Sequence, residues 1–359
     1  MIKKYLTEKN TKLIVEVLAV FSVLFFGLVV FSNNNLDYSF FQNKDVHRGF
    51  QRGVDVWLGV NSYDSFNPKN MLTQEKVPGF FPLYFYFMAV MAWISNFSYV
   101  IFIDYLKIFI FLCYSGIALL IYFYLRKESI ILAILAMSIF MFNRWTLFFA
   151  LSLKQEPYVL LLLISSLLLL KKNKYLSFFI FGVATGLKHL TILVFPLYLL
   201  DIYLNVFKNQ KFFVTLKSLE FKKYLVCFFL MSLPIIIPSI SYYLDTPDKF
   251  VNSILFNITR EPESMVNSEI SIGLDRTLVL YNQDYTNNFL LFLPRIPLLI
   301  VLVLINILLF KQKLSIWSYS ALTYLAFISL NPTLFDQYML WFFAFIAFSI
   351  KEIFHSKKD

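Results

Sequence analysis

Apolar runs of roughly 20 residues recur from one end of this chain to the other, and they constrain its fold more than any other feature. A helix of about that length crosses the hydrocarbon core of a bilayer. Hydrophobic residues make up 59% of the chain and charged residues only 15%, which leaves too little polar surface to cover a water-soluble domain. The sequence therefore predicts an all-α, polytopic transmembrane helical bundle.

We expect about ten spans, which together form a single integral-membrane domain over residues 1–359. By residue number the runs are 14–32, 100–125, 129–147, 157–170, 175–187, 190–207, 224–244, 289–310, 314–330 and 335–350. The first run lacks a small-residue cleavage motif after it, so we interpret it as a retained span. A further run, residues 80–94, is expected to lie in the membrane interface as an amphipathic or re-entrant helix, because counting it as a span would invert every later loop.

The basic residues predict which side of the membrane each loop faces. They gather in short segments between runs, such as Lys171 to Lys174 and Lys208 to Lys223, as cytoplasmic loops do. Both termini are then cytoplasmic, and two long polar loops, about residues 33–79 and 245–288, face outward. This distribution explains the net charge of +10 without a nucleic-acid partner. We expect a multi-pass protein of the cell (plasma) membrane whose functional site faces outward.

Common catalytic signatures are missing from the sequence. It has no Gly-rich phosphate loop after a strand and no HExxH, CxxC or GxSxG motif. Its three histidines are far apart in sequence, and Cys113 and Cys227 both lie inside apolar runs. We therefore expect no bound cofactor, while dependence on a divalent metal stays open. Carboxylates and basic groups are the plausible reactive groups.

The stretch "NKDVHRGFQRGVDVWLGVNSYDSFNP", residues 43–68, is polar although it follows the first apolar run. Asp45 precedes Gly59, Tyr63 and Asp64, and "GFFPLYFYF" follows. This order resembles the first outer loop of the integral-membrane glycosyltransferases that use polyprenyl-phosphate sugars, the C-type superfamily, and most closely the polyprenol-phosphate-mannose-dependent mannosyltransferases. Ser62 stands where that family usually has Pro, and Phe81-Pro82 replaces its paired prolines.

Three later stretches extend the resemblance over nearly the whole chain. "SLKQEPYVLLLL" resembles the family's polar turn before a Leu-rich span, although Gln155-Glu156 replaces its Gly-Asn pair. "GVATGLKHLTILVFP" resembles a helix with a basic end at Lys188, and "LFDQYMLWFFAF" resembles its QYxxW motif. The order and predicted sidedness of the four stretches carry the resemblance.

The resemblance implies inverting transfer of a hexose, with mannose as the expected sugar, from a polyprenyl-phosphate donor. The acceptor would be a hydroxyl group of a glycolipid, glycan or protein, with Asp45 as its catalytic base or orienting group. The resemblance and the charge pattern together nominate five basic residues for the lipid phosphate: Lys188, His189, Arg144, Arg276 and Arg295. Four further residues would bind substrate: Tyr63, Glu156, Gln337 and Tyr338.

Other interpretations stay open at this point. Asp45 has the alternative of a solvated acid paired with His47 or Arg48, and Lys188 that of a lysine that snorkels to the interface. A transporter or flippase of lipid-linked saccharides would also need outward polar loops and broken helices, and "SLPIIIPSISYY" predicts one. A polymerase of lipid-linked saccharides would be expected to have a long outer loop late in the chain, as at residues 245–288.

Overall fold

The computed structural model describes residues 8–33, 45–64, 79–207, 218–259, 295–331 and 336–355. Over these ranges the regular secondary structure is entirely helical, which confirms the predicted all-α class. The α-helices are α1 (Glu8–Ser32), α2 (Asp45–Trp57), α3 (Pro82–Ile94), α4 (Tyr99–Leu125), α5 (Ile130–Phe142), α6 (Arg144–Leu151), α7 (Glu156–Leu169), α8 (Lys174–Leu187), α9 (Phe195–Ile202), α10 (Leu219–Asp245), α11 (Pro247–Thr259), α12 (Ile296–Phe310), α13 (Ile316–Leu330) and α14 (Met339–His355). Short 3-10 segments cover His189–Val194 and Asp336–Tyr338, and a π-helical segment covers Tyr203–Phe207.

Several of these helices could cross a membrane. Four helical stretches are long and apolar enough: Leu13–Ser32, Tyr99–Leu125, His189–Phe207 and Leu219–Asp245. The pair α5 and α6 is a fifth candidate, and α3, α7, α8, α12 and α13 are apolar but shorter. Along α1, large apolar side chains such as Phe21 and Phe26 are exposed, which in water would be unfavourable and in lipid is not. The structure therefore agrees with a membrane protein.

The predicted run 129–147 is not one straight helix. It breaks at Asn143, and the axes of α5 and α6 differ by 52°. The side-chain oxygen of Asn143 accepts a hydrogen bond from the backbone N–H of Trp145 at 2.9 Å, which caps the start of α6. The second half is the less hydrophobic of the two, because it begins with Arg144, but the run as a whole is apolar enough to be interpreted as one span.

Helices α2 and α3 form one packed pair. The 13 residues of α3 give it a length of about 20 Å, less than the hydrocarbon core of about 30 Å. A Cβ atom at Gly53 of α2 would lie 2.6 Å from the carbonyl oxygen of Met88, so only glycine permits this close approach. Trp57 also donates from Nε1 to the carbonyl oxygen of Ala89 at 2.9 Å. The packing of α2 against α3 therefore fixes the position of Asp45, the first residue of α2.

Helix α8 packs between α7 and α10 and is antiparallel to α7. Ser166 and Ser177 donate to each other's carbonyl oxygens at 2.9 and 2.7 Å, joining α7 to α8. A Cβ at Gly182 would lie 2.0 Å from the carbonyl oxygen of Met231, so α8 and α10 touch through their backbones. Because α7 and α8 run in opposite directions, the start of α7 and the end of α8 meet at the same end of the bundle.

Candidate active site

A small cavity lies where the start of α7 meets the start of α2. Its volume is about 40 Å³, room for a few water molecules. Its walls come from the first turn of α2, from α3 and α4, from the turn between α6 and α7, and from the segment that precedes α14. Five stretches that are distant in the sequence thus converge on one polar recess.

Asp45 stands at the mouth of the cavity as the first residue of α2. Its side chain remains 52% exposed and pairs with Lys154 Nζ at 2.6 Å, while Arg48 lies 3.8 Å away. The protein atoms around Asp45 tend to raise its pKa, but the ammonium of Lys154, with help from Arg48 and Lys188, outweighs that effect. The pKa of Asp45 is therefore lowered, and the group is a carboxylate at neutral pH.

The turn between α6 and α7 presents a run of polar side chains to the cavity. Leu153 holds this turn in the left-handed region at φ 55°, an uncommon conformation for a branched side chain, and its own side chain is buried in the cavity wall. Lys154, Gln155 and Glu156 follow directly and all line the cavity. The strained turn is what allows three consecutive polar residues to face one recess.

Behind the mouth lies a buried ion pair. Lys188, which follows the last residue of α8, donates from Nζ to Glu156 Oε1, and the two side chains are only 5% and 1% exposed. The Lys188 ammonium also lies 5.2 Å from the centre of the Tyr338 ring, a cation–π contact. Burying both charges is costly unless each is well compensated, so this pair marks a place of structural or chemical importance.

Three buried polar atoms on the cavity wall have no hydrogen-bond partner among the described residues. They are Gln155 Oε1, Glu156 Oε2 and the hydroxyl oxygen of Tyr158. Buried polar groups without partners are rare in proteins and usually contact water, an ion or a ligand. Their clustering around one cavity indicates a binding site for a polar molecule.

The structure brings together five of the residues predicted from the sequence. Asp45 and Gln337 line the cavity together with Glu156, while Lys188 and Tyr338 lie immediately behind it. His189 is adjacent to Lys188, but its buried Nδ1 has no partner among the described residues and the side chain does not line the cavity. The predicted residues are thus neighbours in space although almost 300 positions separate Asp45 from Tyr338.

Other predicted residues lie elsewhere. Tyr63 is fully buried, its hydroxyl donates to the carbonyl of Phe80, and its ring packs on Tyr242 and Phe250, so it does not line the cavity. Arg144 is exposed at the start of α6, with its guanidinium 5.9 Å from the Trp145 ring centre. Arg295 precedes α12 and is not in the cavity wall either. Arg276 lies outside the described residues.

Sequence reasoning missed Lys154, Tyr84 and Tyr158, all of which line the cavity. A signal for Lys154 exists: it stands two positions before Glu156 in the same polar stretch. Tyr84 lies in the aromatic-rich α3, where nothing distinguishes it from packing residues, whereas Tyr158 is the one aromatic residue of the Leu-rich α7. Within the described part of the chain no group of three or more His, Cys, Asp and Glu side chains could hold a metal ion.

This arrangement combines a half-exposed carboxylate that can accept a proton with two ammonium groups that can stabilise an anion. No model of a known protein family matches the chain, and no curated protein matches it. The chemistry of the site residues is therefore what supports a function.

Proposed function

We propose that this chain is a multi-pass membrane glycosyltransferase. It moves a hexose, with mannose as the expected sugar, from a polyprenyl-phosphate donor to a hydroxyl group of a glycolipid, glycan or protein, with inversion at the anomeric carbon. One observation carries the proposal: residues from all four stretches that resemble the C-type glycosyltransferases meet at one polar cavity. These are Asp45, Glu156, Lys188, Gln337 and Tyr338.

In the proposed reaction Asp45 is the general base. The acceptor oxygen attacks the anomeric carbon, its proton passes to the Asp45 carboxylate, and the bond from the anomeric carbon to the phosphate oxygen breaks with its electron pair on the phosphate. Asp45 is a carboxylate at neutral pH, as this role requires, and it becomes a stronger base when Lys154, the main group that lowers its pKa, moves away. Its position at the mouth leaves the carboxylate accessible to an acceptor.

The positive charge that stabilises the leaving phosphate has two sources. Lys188 is buried and already paired with Glu156, so it would stabilise the phosphate from a distance. Lys154 is partly exposed beside Asp45 and can contact the phosphate directly. We expect Lys154 to shift from Asp45 toward the phosphate as the sugar–phosphate bond breaks, because the phosphodiester donor carries one negative charge and the leaving phosphate gains a second. This shift would free the carboxylate for the acceptor proton. Lys154 therefore joins Lys188 among the groups that we propose for the lipid phosphate.

The cavity must widen to admit a hexose, since ligand sites usually enclose about 300 Å³ or more. The groups at its mouth are the ones with room to move: Lys154 is 23% exposed and Asp45 is 52% exposed. Separation of this single ion pair opens the recess from the side where a donor held by its lipid tail would approach.

We further propose about ten spans, cytoplasmic termini and an outward-facing site in the plasma membrane, with α2 and α3 at the interface. Short helices such as α7 and α8 would then complete the bundle where neighbouring helices cover them. Cysteines introduced at Asp64 and at Lys127 test the sidedness. An impermeant thiol reagent should label Asp64→Cys in intact cells and Lys127→Cys only after lysis, and the opposite pattern would overturn the topology.

The function is tested with purified full-length protein in liposomes. The protein receives a labelled polyprenyl-phosphate hexose together with lipid and glycan fractions from the producing cells as acceptors. Label should leave the donor, polyprenyl phosphate should accumulate, and the Asp45→Asn protein should fail to produce either change.

Two outcomes would favour the other functions. Movement of intact labelled donor between the leaflets, with no cleavage of the sugar–phosphate bond, would identify a flippase. Consumption only of oligosaccharides linked through a lipid diphosphate would identify a polymerase. Either result would overturn the transferase proposal.

A further inference from the structure

A second cavity lies at the opposite end of α8 from the candidate active site. Its volume is about 330 Å³, considerably larger than the first. It lies between the turn that joins α7 to α8 and the first turn of α10, and its lining consists of Lys172, Asn173, Lys174, Tyr175, Glu220, Lys223, Tyr224 and Cys227. Helix α8 has 14 residues, so about 21 Å of helix separates the two sites.

One wall of this cavity is a hydrogen-bonded network. Lys174 donates from Nζ to the Tyr224 hydroxyl and lies 3.3 Å from Asp201 Oδ2, and the Tyr224 hydroxyl donates to the same Asp201 oxygen. The Lys174 ammonium also lies 4.6 Å from the centre of the Tyr224 ring. Lys174 is therefore fixed in place, and the Asp201 carboxylate offsets its positive charge.

The remaining charges leave the cavity positive. Lys223 pairs with Glu220 at 2.6 Å, with both side chains largely exposed, so water already screens this pair. Lys172 is exposed and has no ion-pair partner among the described residues. Glu220 offsets Lys223 and Asp201 offsets Lys174, so Lys172 leaves the cavity with a net positive charge, which favours an anion. Ammonium groups suit a phosphate as compact point charges.

Apolar side chains are exposed beside the cavity. Leu219 is 68% exposed at the start of α10, Leu176 is 43% exposed in the first turn of α8, and Val226 is 48% exposed about two turns into α10. A free phosphate ion would leave this apolar surface exposed, whereas the acyl chains of a lipid would bury it. The combination of a basic recess with exposed aliphatic groups is what a lipid headgroup site requires.

We propose that this second cavity binds the phosphate headgroup of an anionic membrane lipid, with the acyl chains against Leu176, Leu219 and Val226. Lys172 and Lys223 contact the phosphate, and Lys174, held by Asp201 and Tyr224, forms the wall behind it. Glu220 opposes binding, since its carboxylate lines the same space. The site is separate from the candidate active site and does not depend on sugar transfer.

The test uses full-length protein in a neutral detergent and the rise of its unfolding temperature with ligand concentration, which gives an affinity. The probes are dihexanoyl phosphatidylglycerol, dihexanoyl phosphatidylcholine and inorganic phosphate. Lys172→Gln should weaken binding of phosphatidylglycerol about fivefold, the effect of one lysine near an anionic headgroup. Glu220→Gln should strengthen it by a similar factor, a gain that a merely structural role for Glu220 would not produce.

Lys127→Gln is the matched control, because Lys127 is also an exposed lysine in a turn between helices but lies outside this cavity. It should leave the affinity unchanged. Equal affinity of the wild type and Lys172→Gln proteins, or equal binding of phosphatidylcholine, would overturn the proposal. Binding of inorganic phosphate as tight as that of phosphatidylglycerol would reduce the site to a free-anion site and overturn the lipid assignment.

Discussion

The two ends of α8 each carry a lysine paired with a carboxylate, and the two pairs are built differently. At the N-terminal end, both oxygens of Asp201 are used: Oδ1 accepts from Asn205 Nδ2 at 3.0 Å, and Oδ2 accepts from Tyr224. At the C-terminal end, Glu156 Oε1 accepts from Lys188, while Oε2 is buried with no partner among the described residues. Both carboxylate oxygens of Asp201 therefore accept hydrogen bonds, whereas one oxygen of Glu156 is still available to accept one.

This difference distinguishes an ion pair that only stabilises the fold from one that can also contact a ligand. A complete hydrogen-bonded pair has nothing further to offer a ligand, so the Lys174–Asp201 pair is best explained as a brace between α8 and the last turn of α9. The Lys188–Glu156 pair is more deeply buried and yet less satisfied, and it faces a cavity with further unpartnered polar atoms. A fold tolerates such an arrangement where binding or catalysis requires it.

The largest expected effect comes from breaking the buried pair. Lys188→Met leaves the Glu156 charge alone in a buried place, which should lower the free energy of unfolding by about 3 to 5 kcal/mol. The double variant Glu156→Gln with Lys188→Met should recover most of that loss, since no isolated charge remains. Thermal unfolding of the purified proteins, followed by intrinsic fluorescence, measures both.

Asp201→Asn is the matched control at the other end of the helix. The Lys174–Asp201 pair is 32% and 17% exposed, so water compensates part of the change and the loss should be smaller. Equal losses for the Lys188→Met and Asp201→Asn proteins would show that the two ends do not differ in the way proposed.

The next largest effect concerns Asp45. Asp45→Asn removes the base without removing volume, so sugar transfer should fall about 10²-fold or more, which corresponds to about 2.7 kcal/mol in the activation barrier. Because Asp45 is half exposed, the unfolding temperature should hardly change. Single-turnover transfer from a labelled donor measures the rate separately from donor binding.

Asp64→Asn serves as the control for Asp45, since Asp64 is an equally exposed acid of the same polar stretch that pairs with Lys249 at 3.5 Å instead. It should leave transfer unchanged. Near-normal transfer by the Asp45→Asn protein, or an equal loss in both variants, would remove the catalytic role of Asp45.

A smaller effect distinguishes a packing tyrosine from a substrate-binding one. Tyr63→Phe removes the hydroxyl that donates to the Phe80 carbonyl, so the free energy of unfolding should fall by about 1 kcal/mol. The transfer rate and the Michaelis constant for the donor should stay as they are, because Tyr63 does not line the cavity. A rise in the Michaelis constant without loss of stability would restore the substrate-binding role predicted from the sequence.

The sequence was sufficient for the helical class and for most helix positions. Apolar runs end where helices end: the run 100–125 became Tyr99–Leu125, and the run 175–187 became Lys174–Leu187. It did not reveal the break at Asn143 or the helix Asp45–Trp57 inside a segment interpreted as a polar loop. The first depends on one capping side chain, and the second on packing against α3. The apolar residues of α2 do recur at helical spacing, a signal that the low overall hydrophobicity of the segment concealed.

For the site, motif order predicted which stretches matter but not how charges pair within it. Lys188 looked like a free cation at a helix end, and its partner Glu156 is 32 positions away in sequence, so their pairing follows only from the antiparallel packing of α7 and α8. Lys154 was overlooked for the same reason, because its importance comes from Asp45, 109 positions earlier. Such pairs are set by tertiary structure, which no local pattern encodes.

The smallest expected effect is a shift on the pH axis, and it tests the pairing that the sequence could not predict. Lys154→Met removes the strongest influence that lowers the pKa of Asp45, so this pKa should rise. A carboxylate with a lowered pKa stays charged until the pH falls through that low value, and a higher pKa makes it protonate sooner. The acid limb of the transfer rate should therefore move to higher pH, while the rates above neutral pH retain the same pH dependence. Lys249→Met, which removes the partner of Asp64 instead, should leave the acid limb in place.

The prediction fails if the acid limb does not move in the Lys154→Met protein. The ionisation of Asp45 would then not control the reaction. The base would have to be sought among the other acids of the site, and Glu156 would be the first to test.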